Sequence, residues 1–435
     1  MTRLRSEWKR TLWGLAGLLL ITGGGAAIWI HHVWSHSDRL LEQAVRANLD
    51  RLTPGINVEF SSCRFDLLRR VRFDDVELTT DDGRPLASVP RIIVSIDREA
   101  LARRQQLLIQ KVTLHEPRLR LVRDIEGGWN WQDLTSSQND RTMLPEWTID
   151  RGQIEIALDG DSPRVRSLNN LNLRLVPAGS DRYLVDGTGQ IENPDSSSPE
   201  PQLAFSGHWQ VAENGFSISG QLGDLAIEPS LREFLSALSS GKTADSPGRL
   251  PFNTTDITLD ALGDLDFRIA SRQMADSLDY KLLLTLKRGR LQLPYPSSQP
   301  RVIDHLSGQL YLDPRHLQIK TLVGRELDTT VTVNGLLKLT ADPPTGQLDV
   351  SLKNLAIDRR LRSSLPEQWQ PLFDVYSPSG RANVSATLRP SGNGPWRFSD
   401  SIFTPKNCRI RHARFPYPIE NITGTLVQKG ASKDL

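Results

Sequence analysis

Apolar and polar residues alternate with a period of two along most of this chain, the pattern of strands that bury one face. The alternation starts at Asn57–Phe60 and runs through Val71–Phe73, Val76–Leu78 and Arg91–Ile96, resuming at Leu108–Ile109 and Val112–Leu114. It returns in Ile154–Leu158, Leu171–Leu175, Leu282–Leu286, Val331–Val333, Leu348–Leu352 and Ala382–Leu388. The series predicts a long antiparallel β meander. Asp81, Asp82 and Gly83 have the composition of a hairpin turn, and Ser196–Pro201 and Ser239–Pro247, rich in Ser, Pro, Gly and charge, read as loops. A helical period is confined to a few places. Ser37 can cap a helix carrying Leu40, Leu41, Ala44, Val45, Leu49 and Leu52, stopped by Pro54 and Gly55. Arg98–Leu107, Leu231–Leu238 and Arg359–Leu372 are further short helical interruptions.

The pattern changes completely at the N-terminus, where Leu12–Trp34 is apolar apart from small and isolated polar residues. At about 1.5 Å per residue such a helix is long enough to cross a hydrocarbon core of roughly 30 Å. Leu12, Trp13, Leu18, Leu19, Leu20, Ile28, Trp29, Ile30 and Trp34 are its anchor positions. Arg3, Arg5, Lys9 and Arg10 precede it and His31, His32 and His36 follow, so the basic flank is expected in the cytoplasm and the body outside. Trp8 and Trp13 at one end and Trp29 and Trp34 at the other suit the two headgroup layers. A cleaved export signal is the alternative, with the small residues Gly23–Ala27 before its cleavage site. The apolar run continues through Ile28, Trp29, Ile30, Val33 and Trp34, which favours a retained anchor. Both readings export the body.

Composition narrows the classes further. The 435 residues allow two or three domains or one elongated one, and 38% hydrophobic residues leaves a fairly polar exported part. Lys plus Arg (53) nearly balances Asp plus Glu (51), for a net charge of +2, so there is no electrostatic footprint for nucleic acid. Two cysteines, Cys63 and Cys408, exclude a thiolate zinc cluster; they are expected as two buried thiols, with a single bridge as the alternative.

One stretch is more distinctive than the rest. Behind the N-terminal anchor come Val112–Pro117, the alternating Leu119 and Leu121, and Gly128, Trp129, Asn130 and Trp131. In that order these residues resemble the N-terminal region of the AsmA-like family, a likeness that covers about residues 1–135 and extends to the repetitive remainder in style. The resemblance implies a Gram-negative envelope protein whose β-rich body forms an open groove, tied to phospholipid transport or outer-membrane homeostasis. The expected fold class is then mainly β: an N-terminal transmembrane helix followed by an elongated, repetitive antiparallel sheet forming an open groove, with a few short helices. The expected divisions are residues 1–36 for cytoplasmic N-terminus and anchor, 37–135 for the family-like region of helix plus strands, and 136–435 for the repetitive groove. The body would lie in the periplasm, held at the inner membrane by a single pass.

An internal echo supports repetition. Gly289–Pro296 followed by Ile303–Gly308 reappears as Arg411–Pro418 followed by Ile419–Gly424, each read as strand, Tyr-Pro kink and strand. Few residues follow the second copy, so the chain is expected to be a fragment of a longer one, or else to pair its last strands with a partner.

The chemistry such a chain could perform is limited. No Walker-type phosphate loop, Gly-x-Ser-x-Gly elbow or His-Glu-x-x-His helix occurs, and His115 and Glu116 have no nucleophile beside them, so no enzymatic role, cofactor or metal is assigned. Asp74, Asp75, Asp81 and Asp82 are expected as solvated turn carboxylates rather than a calcium site. Trp129 and Trp131 fall on one face and either line a lipid path or cover a sheet end. One apolar face per strand suits a closed core and a lipid groove equally. The anchor, the length of the meander and the family likeness favour the groove, with Leu173, Leu284, Val333, Leu352 and Val384 facing phospholipid. The alternative is an assembly factor whose sheet edge recruits a periplasmic or outer-membrane protein by strand addition.

Overall fold

The computed structural model describes residues 56–66, 70–80, 83–97, 109–123, 130, 144–158, 164–192, 200–211, 215–228, 258–271, 279–293, 301–340, 345–364, 370–391, 394–415 and 417–429. The apolar run Leu12–Trp34, the helix expected from Ser37, the segments Arg98–Leu107 and Leu231–Leu238, Asp81, Asp82, Trp129 and Trp131 lie outside them. Among the described residues no helix is long and apolar enough to cross a membrane. The protein is mainly β, with twenty-one strands and two short helices, α1 (Arg359–Ser364) and α2 (Gln370–Tyr376), in the described residues. The chain divides into two units, one reaching to Asp224 and the other chiefly from Tyr280 onward.

The first unit starts with β1 (Ile56–Glu59), β2 (Ser62–Asp66), β3 (Arg70–Thr80) and β4 (Pro85–Ile96). Alternating Val71, Phe73, Val76 and Leu78 make β3 a single strand of eleven residues, where two short strands were expected. β1 pairs with the end of β3 and β2 with its beginning. At the join, Asp75 takes a positive φ of 52°, and the buried positions change phase there, from Val71 and Phe73 to Val76 and Leu78, while the register with β4 runs on unbroken. Asp74 and Asp75 are therefore strand residues, not turn carboxylates. Ser61 donates its hydroxyl toward Asp74 O (3.0 Å) and Asp75 Oδ2 (2.9 Å), and Arg72 Nε lies 2.7 Å from Asp74 Oδ1. Partial burial works against the Asp74 charge, but hydrogen bonds from Arg72, Ser62 and Arg91 outweigh it and hold the carboxyl below its ordinary value.

The sheet is mixed rather than wholly antiparallel. β5 (Ile109–His115) and β6 (Arg118–Arg123) lie antiparallel to β4 in one continuous register, Arg91 opposite His115 and Ser88 opposite Arg118. Both also pair with β7 (Glu146–Leu158), and in parallel. Pro117 has no N–H to give the ladder, so the line kinks there without ending. Glu116 and Arg151 face each other at the kink, both at positive φ (51° and 54°), and Gln153 N–H donates to the Pro117 carbonyl at 2.7 Å. A parallel neighbour needs a long return connection, and residues 124–143 supply that length. Antiparallel hairpins then continue through β8 (Arg164–Pro177), β9 (Arg182–Ile191), β10 (Gln202–Gln210) and β11 (Gly215–Ile227).

The core of this unit is built from rows of side chains in register. Phe73, Ile92, Leu114, Ile149 and Leu173 form one row; Val71, Val94, Val112, Trp147 and Leu175 form the next. Ile92 and Val112 are 0% exposed and Phe73 1%. Further along, Trp147 Nε1–H donates to the Tyr183 hydroxyl at 3.2 Å, and the Tyr183 and Trp209 rings stack at 5.7 Å. Burial pushes the Tyr183 pKa up to about 12, although the hydrogen bond from Trp147 pulls it the other way.

β12 (Thr258–Ser271) follows, and the second unit continues as an antiparallel meander of β13 (Asp279–Leu293), β14 (Arg301–Leu312), β15 (His316–Glu326), β16 (Thr329–Lys338), β17 (Thr345–Ile357), β18 (Ser379–Ser391) and β19 (Gly394–Ile410). Helices α1 and α2 interrupt it between β17 and β18, where one interruption was expected over Arg359–Leu372. Asp358 caps α1, its Oδ1 accepting from the N–H groups of Arg360 (2.9 Å) and Leu361 (3.1 Å). β20 (Ile419–Ile422) and β21 (Leu426–Lys429) pair with separate parts of β19.

Cys63 and Cys408 are both buried thiols with no disulfide between them.

Candidate functional site

Strand register in the second unit gathers the predicted apolar positions onto one face. Val331, Leu352, Val384, Phe403 and Leu426 stand directly opposite one another across β16, β17, β18, β19 and β21. A second row runs Leu322, Val333, Val350 and Ala386, and a third Leu284, Leu310, Ile319, Gly335, Leu348 and Leu388. Leu284, Val333, Leu352 and Val384 thus share one surface, as alternation requires. The opposite face carries Asn334, Asp349, Ser351, Asn383, Ser385 and Thr387, with Thr387 Oγ1 donating to Asp349 Oδ1 at 2.7 Å.

Most of the apolar face is only half-buried. Ala261, Leu286, Ile303, Leu306 and Val331 are the closed centre of its cluster, while Leu284, Leu310, Leu322, Val333 and Leu352 are partly open around it. At one end the face is covered: Leu361 of α1 and Phe373 of α2 pack with Phe403 and Ile422 on Ile357, Ala382 and Cys408. Arg362 and Asp374, joined by a bidentate ion pair, tie the two helices together. Leu173 is placed differently. It belongs to the first unit and packs against that unit's buried core, alongside Ile149 and Leu175.

One device that alternation did not reveal recurs in both units. Strands bend at residues of positive φ, and the N–H at the bend is taken up by an Asn carboxamide on the next strand. Arg151 donates to Asn172 Oδ1 (3.1 Å), Thr321 to Asn334 Oδ1 (2.8 Å) and Asn354 to Asn383 Oδ1 (3.0 Å). Each site coincides with a register shift, so the bulges bend the strands while leaving few backbone groups unsatisfied. The sequence signal is an Asn set between apolar positions of an alternating run, as in Leu171-Asn172-Leu173. Asn130 has a related role: its Oδ1 accepts from Val122 N–H (3.0 Å) and its Nδ2 donates to the Arg120 carbonyl (2.9 Å), continuing the β6 edge.

A depression of about 380 Å³ lies in the first unit, lined by His115, Asp150, Arg174 and Asp186 together with Ile149 and Leu173, among others. His115 Nδ1 is 3.2 Å from Asp150 Oδ2, and Glu146 is bridged by Lys111 (3.1 Å) and Arg174 (2.9 Å). Burial disfavours the Glu146 charge, but the hydrogen bonds and charges of Lys111 and Arg174 win, holding its carboxyl below the ordinary 4.5. Of the charged lining residues, His115 and Asp150 are thus paired with each other and Arg174 with Glu146. Among the described residues no cluster of three or more His, Cys, Asp and Glu side chains could hold a metal ion.

Fold and site together define a mainly β protein with one tightly packed unit and one whose apolar sheet face is partly open. No protein-family model matches the chain, and no curated protein is similar to it.

Proposed function

We propose that this chain is an exported envelope protein that holds or conducts phospholipid along the apolar face of its second unit, serving outer-membrane biogenesis from an inner-membrane anchor at Leu12–Trp34. The observation that carries the reading is the set of apolar rows led by Leu284, Val333, Leu352 and Val384, in register yet half-exposed. An acyl chain laid on such a face leaves water at roughly 0.8 kcal/mol per buried methylene. The polar reverse face meets solvent, so the sheet needs no second apolar layer. Passage along it is a movement between equivalent contacts and requires no chemical step. Placing a photoreactive residue at Leu352 or Val384 in the full chain, in Gram-negative cells, tests this directly. Phospholipid adducts at both positions are expected; their absence from a folded, membrane-located protein would sink the reading.

A second reading, recruitment of an envelope protein by strand addition, draws on β21. Leu426 and Val427 there are 66% and 59% exposed, and among the described residues no strand pairs with the side of β21 away from β19. A stable protein partner that is lost on Val427→Pro, with no lipid adduct at Leu352, would favour it.

A further inference from the structure

The second copy of the Tyr-Pro echo repeats the strand after the kink, β20, which pairs antiparallel with the end of β19, but Arg411–Phe415 before the kink is not a strand. In the first copy Leu291, Gln292 and Leu293 pair with Ile303, Val302 and Arg301 as a hairpin. In the second, the strand stops at Ile410 and the chain crosses to the end of α2. Arg411 N–H donates to the Tyr376 carbonyl and Ala413 N–H to the Val375 carbonyl, each at 2.8 Å. A tight turn follows, with Arg414 N–H on His412 Nδ1 (3.1 Å) and Phe415 N–H on the His412 carbonyl (3.0 Å). The His412 ring meets Tyr376 edge-on at 5.3 Å. The base of this loop is therefore pinned.

Its tip is apolar and in water. Phe415 and Tyr417 lie against each other at 5.9 Å, yet are 54% and 71% exposed, and Ile419 beside them is 56% exposed. The charge within the segment is one-signed: Pro405–Pro418 contains Lys406, Arg409, Arg411 and Arg414 and no carboxylate, Glu420 being the next one along the chain. Arg409 is engaged by Glu420 at 3.4 Å, whereas Arg411 and Arg414 are exposed and have no ion-pair partner among the described residues. Rings at the tip of a short pinned loop, preceded by two guanidinium groups nearer its base, match the layered chemistry of a bilayer surface. Aromatic rings settle at the headgroup boundary and arginines on the phosphates. A stable protein interface needs roughly 800 Å² from each partner, more than a few projecting side chains provide.

We propose that the Arg411–Pro418 loop docks the second unit on an anionic phospholipid bilayer, Phe415 and Tyr417 entering the headgroup layer and Arg411 and Arg414 holding phosphates. The docking is independent of whether the apolar sheet face carries lipid, and either can fail alone.

The test uses the full chain in phosphatidylcholine nanodiscs, floated with vesicles of phosphatidylcholine with or without phosphatidylglycerol. Co-flotation with the phosphatidylglycerol vesicles, weakened by salt, is the expected result. Arg411→Gln with Arg414→Gln should weaken it by about thirtyfold, the effect of two basic residues at an anionic surface, and Arg411→Lys with Arg414→Lys should keep most of it. Phe415→Ser with Tyr417→Ser should weaken it at least tenfold. Equal binding to neutral vesicles, no binding at all, or variants that bind like the parent would overturn the proposal. So would nanodiscs that pair with one another through Phe415 and Tyr417, which would assign the loop to a second copy of the chain.

Discussion

The two units answer the same alternating pattern in different ways. In the first, the row Phe73, Ile92, Leu114 is sealed, with its side chains between 0% and 3% exposed. In the second, the row Val331, Leu352, Val384 has the same residue types and the same register logic, yet is sealed only at Val331. An apolar face on a strand is a demand for cover. What meets that demand differs between the units: the first closes over its row, while much of the second unit's face stays half-exposed.

The sharpest way to break the comparison is to place a charge in each row. Ile92→Asp should cost at least about 3–5 kcal/mol and unfold the first unit, because an unpaired charge would be buried. Leu352→Asp should cost under about 1 kcal/mol while abolishing lipid adducts, since its carboxylate can reach water. Hydrogen exchange read separately in the two units would check both, and equal unfolding would erase the distinction. Truncations sharpen it at smaller scale: Phe73→Ala is expected to cost about 3–5 kcal/mol and Val333→Ala about 1 kcal/mol in urea melts followed unit by unit.

Alkali should also separate the units. The Tyr183 hydroxyl is neutral and buried, with its pKa raised from 10.0 to about 12. Its contribution is fully present below 10 and is lost as pH rises towards 12, a loss of up to about 2 kcal/mol confined to the first unit. Melting temperatures across that range would reveal it, and Tyr183→Phe should flatten the curve. The Asn brackets should instead behave alike in both units. Asn172→Ala and Asn383→Ala each strand a bulge N–H and should cost about 1–2 kcal/mol by denaturant titration. The smallest effect is acidic: Glu146, held below 4.5, stabilises the first unit above that pH and loses its contribution as pH falls through the lowered value. Glu146→Gln should remove that acid step, of under about 1 kcal/mol for so solvent-screened a group.

Much of the strand layout was legible beforehand. Val331–Val333, Leu348–Leu352 and Ala382–Leu388 are strands where alternation placed them, and their apolar residues share a face. The hairpin around Gly83 and the helical interruption after Ile357 were equally readable. The parallel β7 was not, because neighbour choice depends on where the connection of residues 124–143 returns the chain. At Asp75 the apolar phase shifts from Val71 and Phe73 to Val76 and Leu78, which reads as a break between two strands although one strand continues through it. The Tyr-Pro echo held for the strand at Ile419–Ile422 but not for Arg411–Phe415: like strings met different surroundings, and the backbone donors of Arg411 and Ala413 found the end of α2.

By itself, then, the sequence determined which residues are extended and which way their side chains point, because pleating alternates direction at every residue whatever lies nearby. It determined the balance of charge and the apolar run at Leu12–Trp34 in the same local way. Only the tertiary structure decided that Ile92 is sealed while Leu352 stays partly open, that Leu173 joins a packed core, and that Phe415 and Tyr417 project into water. Burial is a property of what arrives from elsewhere in the chain, and no single strand carries that information.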